Sequence, residues 1–338
     1  MRQSAALLAD SSVRLADLQF PWFREHIRRT RLAYIHVENL LHFAKIDRDG
    51  RIDGYIAAWL PDELALLFLR GGELISAAAF TEAGREVIPI AVALDRMRKE
   101  LERGELCYCE APMEQLAWMY ASCAGALRGY PVRSDDPGSL FNALQQERFS
   151  GVLELISDGR VSYFRFDDGQ YRTGYFTGRT EDAPVPAFVE AQFRAHTDGT
   201  TPLLSARTFA HREGVPEQAS PALIETYRDL FWRIAEASER HAPDEALRRA
   251  YKVRDTLQGT HAPLDAIGIP RDRQAVPLVA SPEQLTSALS AWALQLLEQL
   301  EVIVPGIAPE VLRDATREHR FVLQKAGFYA RLPWTVSW

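Results

Sequence analysis

The chain has 338 residues, of which 47% are apolar and 25% charged, with a net charge of −7 and an isoelectric point near 5.7. That length exceeds what one small core organises, and the composition is that of an ordinary globular protein of about two or three domains. The acidic balance excludes binding driven by a broad basic surface, so nucleic acid is not an expected partner.

The chain opens on "AALLA" (5–9), too short for the apolar part of a secretion signal and preceded only by Arg2. No window approaches about 18 uninterrupted apolar residues, so no transmembrane segment is predicted and the expected location is the cytoplasm. Residues 12–33 combine Leu18, Phe20, Trp22 and Ile27 with Arg24, Arg28, Arg29 and Arg31. They predict an N-terminal helical arm (1–35) that packs on the next module with its arginines solvated. A basic aromatic helix lying on an anionic membrane or on nucleic acid is the alternative.

A first module is predicted over 36–112. "VENLLHFAKIDRDG" (37–50) has helical apolar spacing, and "YIAAWLPDELALLFLRGGELISAAAF" (55–80) reads as a hairpin. Its turns are Pro61-Asp62-Glu63 and Gly71-Gly72. Asp47, Asp49 and Gly50 suggest a calcium loop. That loop requires glycine at its sixth position and Glu at its twelfth, where this chain has Ile52 and Ala58, so the segment is a turn. A helix over 88–101 and a short strand in "GELCYCEA" (104–111) complete the module. Cys107, Cys109 and Cys123 are the only cysteines. An odd, sparse set indicates a reducing compartment and no disulfide framework, and with no His or Cys spaced to assist them they define no metal site.

After a linker helix (113–136), a second module follows over 137–212. A shift of 97 residues places Gly54 on Gly151, Gly72 on Gly169 and Pro89 on Pro186 without a gap. It also lays "LALLFLRGGELI" (64–75) on "VSYFRFDDGQYR" (161–172). Gly54, Gly72, Gly151 and Gly169 are therefore read as structural turns, Gly71-Gly72 and Asp168-Gly169 being strong hairpin dipeptides. Asp136-Pro137 supplies the helix start of the second copy. Each copy is expected to run helix–strand–strand–helix–strand.

Residues 139–176, "SLFNALQQERFSGVLELISDGRVSYFRFDDGQYRTGYF", resemble the PATAN domain, the N-terminal domain type of PatA-like response regulators. The resemblance rests on the leading helix, the Gly151-Val152-Leu153 strand and the aromatic strand "YFRFDDGQ" entering a glycine turn. Arg172-Thr173-Gly174-Tyr175 replaces the short apolar segment that usually follows that turn. The resemblance implies an interaction or output module of bacterial signalling and brings no catalytic residues.

The remainder, 213–338, predicts an all-helical domain, making the fold class α+β: two tandem modules followed by helices. Ser220 and Pro221 start one helix, with Leu223, Tyr227, Leu230, Ile234 and Ala237 on its stripe. Ser281 and Gln284 form a capping box before a long helix carrying Leu285, Leu289, Trp292, Leu296, Leu300 and Ile303. A third helix covers 309–326, and His319 on its stripe is expected to be partly buried with one hydrogen-bond partner. Residues 257–280 read as a long irregular connection.

No nucleophile elbow, phosphate loop or metal-binding helix motif is present in the sequence. The expected function is a non-enzymatic adaptor or regulatory protein of bacterial signalling or motility, with no cofactor, a protein partner and a possible homodimer. The expected interaction residues are Tyr163, Arg165, Tyr171 and Tyr175 on the second hairpin, with Trp334 and Trp338 at the C-terminal end, because Tyr, Trp and Arg dominate binding hot spots. The same hairpin face could instead be covered by the chain itself. Two other readings stay open: a small-molecule or nucleotide sensor, and an enzyme with an inter-domain site near His261, Asp265, Arg271 and Asp272.

Overall fold

The computed structural model describes residues 13–46, 51–180, 182–269 and 276–338. The turn at Asp47, Asp49 and Gly50 and the Arg271-Asp272-Arg273 stretch lie outside the described residues. The chain divides into two compact units, one running to Ile88 and resuming over Val92–Pro216, the other made of Pro89–Ala91 and Glu217–Trp338.

In chain order the elements up to Phe209 are β1 (Arg24–Arg31), α1 (Val37–Ile46), β2 (Gly54–Trp59), β3 (Glu63–Arg70), β4 (Glu73–Thr81), β5 (Gly84–Ile88), α2 (Ile90–Lys99), β6 (Glu105–Glu110), α3 (Met113–Ala124), β7 (Arg128–Tyr130), α4 (Pro137–Gln146), β8 (Gly151–Ser157), β9 (Arg160–Asp167), β10 (Gln170–Phe176), α5 (Val185–Phe193) and β11 (Leu204–Phe209). The strands form two antiparallel sheets, ordered β1-β6-β2-β3-β4-β5 and β10-β9-β8-β11-β7. The stretches β6-β2-β3-β4 and β11-β8-β9-β10 follow the same path: a helix, a three-strand meander, a second helix, then a strand returning beside the first of the meander.

Four expectations are corrected here. The strand–strand pattern between the helices is one strand short in the second region and two short in the first. The alanine-rich β4 (73–81) owes its place to pairing with β3 from Glu63↔Thr81 to Arg70↔Glu73, since strand formation follows cross-strand packing more than residue type. The N-terminal basic stretch is not a helical arm. Residues 24–31 form edge strand β1 against β6, with two register shifts and with Arg24, Arg28, Arg29 and Arg31 exposed, as protected edges require. Residues 113–136 are not a linker: Gln115 to Cys123 of α3 are all buried, the mark of a core helix. Finally, Gly54 and Gly151 begin strands rather than occupy turns. A Cβ at Gly54 would stand 2.2 Å from the Cys109 carbonyl oxygen and one at Gly151 2.7 Å from that of Phe209, so both permit close backbone approach.

Gly72 and Gly169 do lie at turns, with φ of +78° and +76°. A side chain at either would strike the preceding helix, at the Ala44 or the Gln145 carbonyl. The positive φ and the tight seat of the helix end both demand glycine.

The larger core of this unit gathers Tyr55, Phe68 and Phe80 from the first sheet, Tyr163 and Phe209 from the second, and Trp118 of α3. A smaller core on the opposite face of the second sheet holds Leu140, Leu144, Phe164, Phe166 and Phe193. Alternation along β9 sends Tyr163 to one side and Phe164 and Phe166 to the other.

The described part of the second unit beyond Pro216 is helical: α6 (Pro221–Glu239), α7 (Ala246–Leu257), α8 (Pro282–Glu301), α9 (Ile307–Thr316) and α10 (Arg320–Lys325). Both capping devices form. Ser220 accepts from the Leu223 N–H, and at Ser281 and Gln284 each side chain accepts the other's backbone N–H. The expected irregular connection contains regular structure in its described residues. α7 precedes it, and the 3-10 turn Ala262–Ala266 buries Pro263, Leu264 and Ala266. The third helix breaks at Arg317–His319 into α9 and α10. Leu289, Trp292, Leu296 and Leu300 are fully buried, and Trp292 stacks on Phe231 at 4.3 Å between centroids. Replacing Leu296 by Ala should cost about 2–5 kcal/mol in urea unfolding; a loss under about 0.5 kcal/mol would match an exposed position instead.

Candidate functional site

The second hairpin is built around a row of directly opposed residues. Arg207 of β11 faces Glu154 of β8, Glu154 faces Tyr163 of β9, and Tyr163 faces Tyr175 of β10. This row looks toward the first sheet. From β5, Arg85 donates Nη1 and Nη2 to the two oxygens of Glu154 at 2.8 and 2.7 Å. The two side chains are 3% and 1% exposed. The Arg85 guanidinium also lies 4.5 Å from the Phe80 ring centroid. The planar fork suits arginine here, because two parallel bonds satisfy a carboxylate that water cannot reach.

Three of the expected interaction residues therefore belong to an internal seam. Tyr163 is fully buried, and burial drives its phenol well above the usual range. Tyr175 packs against Trp118 at 5.1 Å and donates to Glu114 at 3.0 Å; burial, then Glu114, raises its phenol. Arg165 donates to the other Glu114 oxygen at 3.2 Å. The physical reason is the alternation of β9: the face carrying Tyr163 is the one the first sheet and α3 cover. Trp334 packs against the helical core of the second unit. Trp338 remains half exposed beside Tyr329.

Tyr171 alone of the hairpin set stands at a surface feature. It is 42% exposed, on the face of Phe164 and Phe166, with its ring 6.3 Å from each. There α4 and α5 leave an apolar groove of about 350 Å³ over β9 and β10. Phe141 of α4, Phe164, Tyr171, and Val185, Pro186 and Val189 of α5 line it, with Glu190 its only charged residue. α4 is held at the groove end by Asp136, which accepts the Ser139 N–H at 3.2 Å. Phe141 and Val189 carry no site signal in the sequence, because they sit in helices whose apolar residues read as core stripes.

Several ionisable groups elsewhere have local partners. A second concavity holds Asp53 and Glu110, but Asp53 accepts the Gly71 N–H at 2.8 Å and Glu110 meets His26 at 3.3 Å. His261 is partly buried and Asp265 exposed at the 3-10 turn. His319 is half-buried against Asp229 at 3.1 Å. Burial alone would raise the Asp229 carboxyl, yet bonds from Arg233 and His319 outweigh it and hold it below the usual range. Cys107 and Cys109 are buried free thiols with sulfurs 3.7 Å apart. Among the described residues no group of three or more His, Cys, Asp or Glu is placed to hold a metal, and no helix is long and apolar enough to cross a membrane.

No family model, curated protein or solved structure matches the chain.

Two expectations test the seam. Glu154→Gln leaves the Arg85 charge buried without its partner and should cost about 3–5 kcal/mol in urea unfolding; replacing both residues by apolar ones should recover much of that loss. His211 accepts the Trp118 indole N–H at Nδ1, 3.0 Å away. Burial, then Arg165, holds its imidazole below the usual value, with Glu114 and Glu213 opposing. The unfolded chain then binds the proton first, so the His211 contribution to stability is complete above about pH 6.5 and falls as pH drops below it. Unfolding midpoints measured against pH should decline less steeply in that window for His211→Gln.

Proposed function

We propose that this protein is a non-enzymatic cytoplasmic adaptor or regulatory protein that binds another protein through the groove over its second sheet. One observation carries the reading. The groove is the place where aromatic and aliphatic side chains of three elements (α4, β9–β10 and α5) converge at the surface around a half-exposed tyrosine. Apolar pockets of this kind seat the anchoring side chains of a partner. The shared path of the two sheets supports reading the first unit as two tandem copies of one module. With the PATAN resemblance, that favours a place in bacterial signalling or motility, where such modules act by contact. Fold likeness between the copies speaks to architecture, while the groove speaks to function.

A small apolar ligand is the second reading, since about 350 Å³ falls at the low end of ligand pockets, typically ~300–1,000 Å³. Such pockets usually add several convergent polar groups to orient the ligand, and Glu190 instead pairs outward with Arg194 at 3.0 Å.

Val189→Glu puts a charge in the groove while leaving the seam untouched. With a photo-crosslinking residue at Pro186 in living cells, the native groove should yield a discrete protein adduct and Val189→Glu should abolish it, with melting temperature retained. An adduct of unchanged yield would place the partner elsewhere. Loss of the adduct together with folding would be resolved by Tyr171→Ala, which removes a half-exposed ring.

A further inference from the structure

The two sheets follow the same path but end differently. In the first sheet β4 carries a further strand on its outer side: β5 pairs with it antiparallel from Ala77↔Ile88 to Thr81↔Gly84. In the second sheet the corresponding strand, β10, is the last one, and among the described residues no strand runs along its outer side. Its first three residues, Gln170, Tyr171 and Arg172, are exposed and the rest are half-buried. An edge of this kind presents backbone N–H and C=O groups ready to pair. Tyr171 belongs both to this edge and to the wall of the groove, so the unpaired backbone and the apolar cavity are continuous.

We infer that the groove's occupant is an extended segment of another protein, added as a further strand to the outer edge of β10 with apolar side chains at alternate positions. This inference rests on the groove reading above and names the partner's chemistry and its mode of binding. Strand addition draws affinity from main-chain hydrogen bonds and selectivity from pockets that receive every second side chain. The first sheet gives the reason for choosing a strand over a helix: the same slot is filled there by the five-residue β5. The regular stretch of β10 supplies the ladder, with Thr173↔Arg165, Gly174↔Phe164, Tyr175↔Tyr163 and Phe176↔Ser162 fixed on its inner side. On the helix-facing side Tyr171, Gly174 and Phe176 lie opposite Phe166, Phe164 and Ser162. An apolar residue of the added strand beside Tyr171 then reaches toward Val189.

A second copy of the chain fits this edge less well. β10 has a register shift between Tyr171 and Thr173 that leaves Arg172 out of step. Two-fold pairing of β10 with itself would place two such interruptions in one short ladder, and bulges disrupt pairing. A segment from another protein meets the interruption once.

The test uses the full chain and random dodecapeptides displayed on phage, followed by synthesis of the enriched sequences. The expected result has three parts. Enriched peptides carry apolar residues at i, i+2 and i+4. They slow amide hydrogen exchange within 170–176. They lose at least about tenfold in affinity against both Tyr171→Glu and Val189→Glu, as anchor losses do, at unchanged melting temperature. Peptides with helical i, i+3, i+4 spacing that still depend on Val189 but leave 170–176 unprotected would overturn strand addition while keeping the groove reading. No enrichment, or peptides indifferent to Val189→Glu, would overturn both. Protection of 170–176 that grows with protein concentration without peptide, alongside dimers in sedimentation, would assign the edge to a second copy and overturn the inference. A variant that loses folding is replaced by Tyr171→Ala, judged by the same exchange readout.

Discussion

The ion pair between Arg85 and Glu154 is the constraint around which the first unit is arranged. A carboxylate and a guanidinium removed from water cost several kcal/mol each, and only near-ideal mutual bonding repays it. The pair approaches this condition with two hydrogen bonds of 2.8 and 2.7 Å, although the Arg85 Nε is buried without a partner, and the paired geometry holds β5 of one sheet at a set height over β8 of the other. Everything directly opposite Glu154 across the second sheet, Arg207 on one side and Tyr163 then Tyr175 on the other, is thereby turned inward. The buried α3 closes the same seam, with Glu114 taking bonds from both Tyr175 and Arg165. An apolar pair of equal volume could fill the space, but only the charged pair penalises a slipped register, because any slip strands two buried charges.

That inward commitment decides what the second sheet can offer outside. A strand has two faces, and one is spent on the seam. The other carries Phe164 and Phe166, whose burial is left to α4 and α5. These helices cover the sheet incompletely, and the gap between them is the groove. The edge of β10 stays open because the chain leaves it directly for α5 (Val185–Phe193). In the first sheet the chain instead turns back at Gly84 and covers β4 with β5. On this side the two sheets thus differ by a single extra strand, β5, which is the outer strand of the first sheet as β10 is of the second.

The second unit is held by ordinary means. Phe231 stacks on Trp292, the Trp292 indole donates to the Ala250 carbonyl at 2.9 Å, and Tyr227 donates to Thr286 at 2.8 Å. The Trp292 indole and the Tyr227 hydroxyl thus find partners, as burial favours, whereas the Tyr329 hydroxyl is buried without one. The Asp229, Arg233, Glu318 and His319 cluster lies at its surface, where ion pairs add little to stability.

Local chemistry made parts of this protein legible without a structure. The glycine turns at Gly72 and Gly169, the caps at Ser220, Asp136 and Ser281, and the stripe through Leu289, Trp292 and Leu296 all depend on neighbours within a few residues, and all are where their residue types place them. Strand number is less legible, because the alanine-rich β4 is specified by the strand it pairs with and carries weak propensity of its own. The arginines of β1 hide its strand character, because placement on an exposed edge has no local signature, and α3 reads as a core helix only through the sheets that enclose it. For the site, the alternation of Tyr163, Phe164, Arg165 and Phe166 determined that the aromatic residues divide between two faces. Which face would be covered, and therefore that Tyr163 and Tyr175 are core while Tyr171 borders a groove with Phe141 and Val189, only the tertiary structure decided. Periodicity is a property of one strand, whereas burial is set by whichever distant segment packs against it.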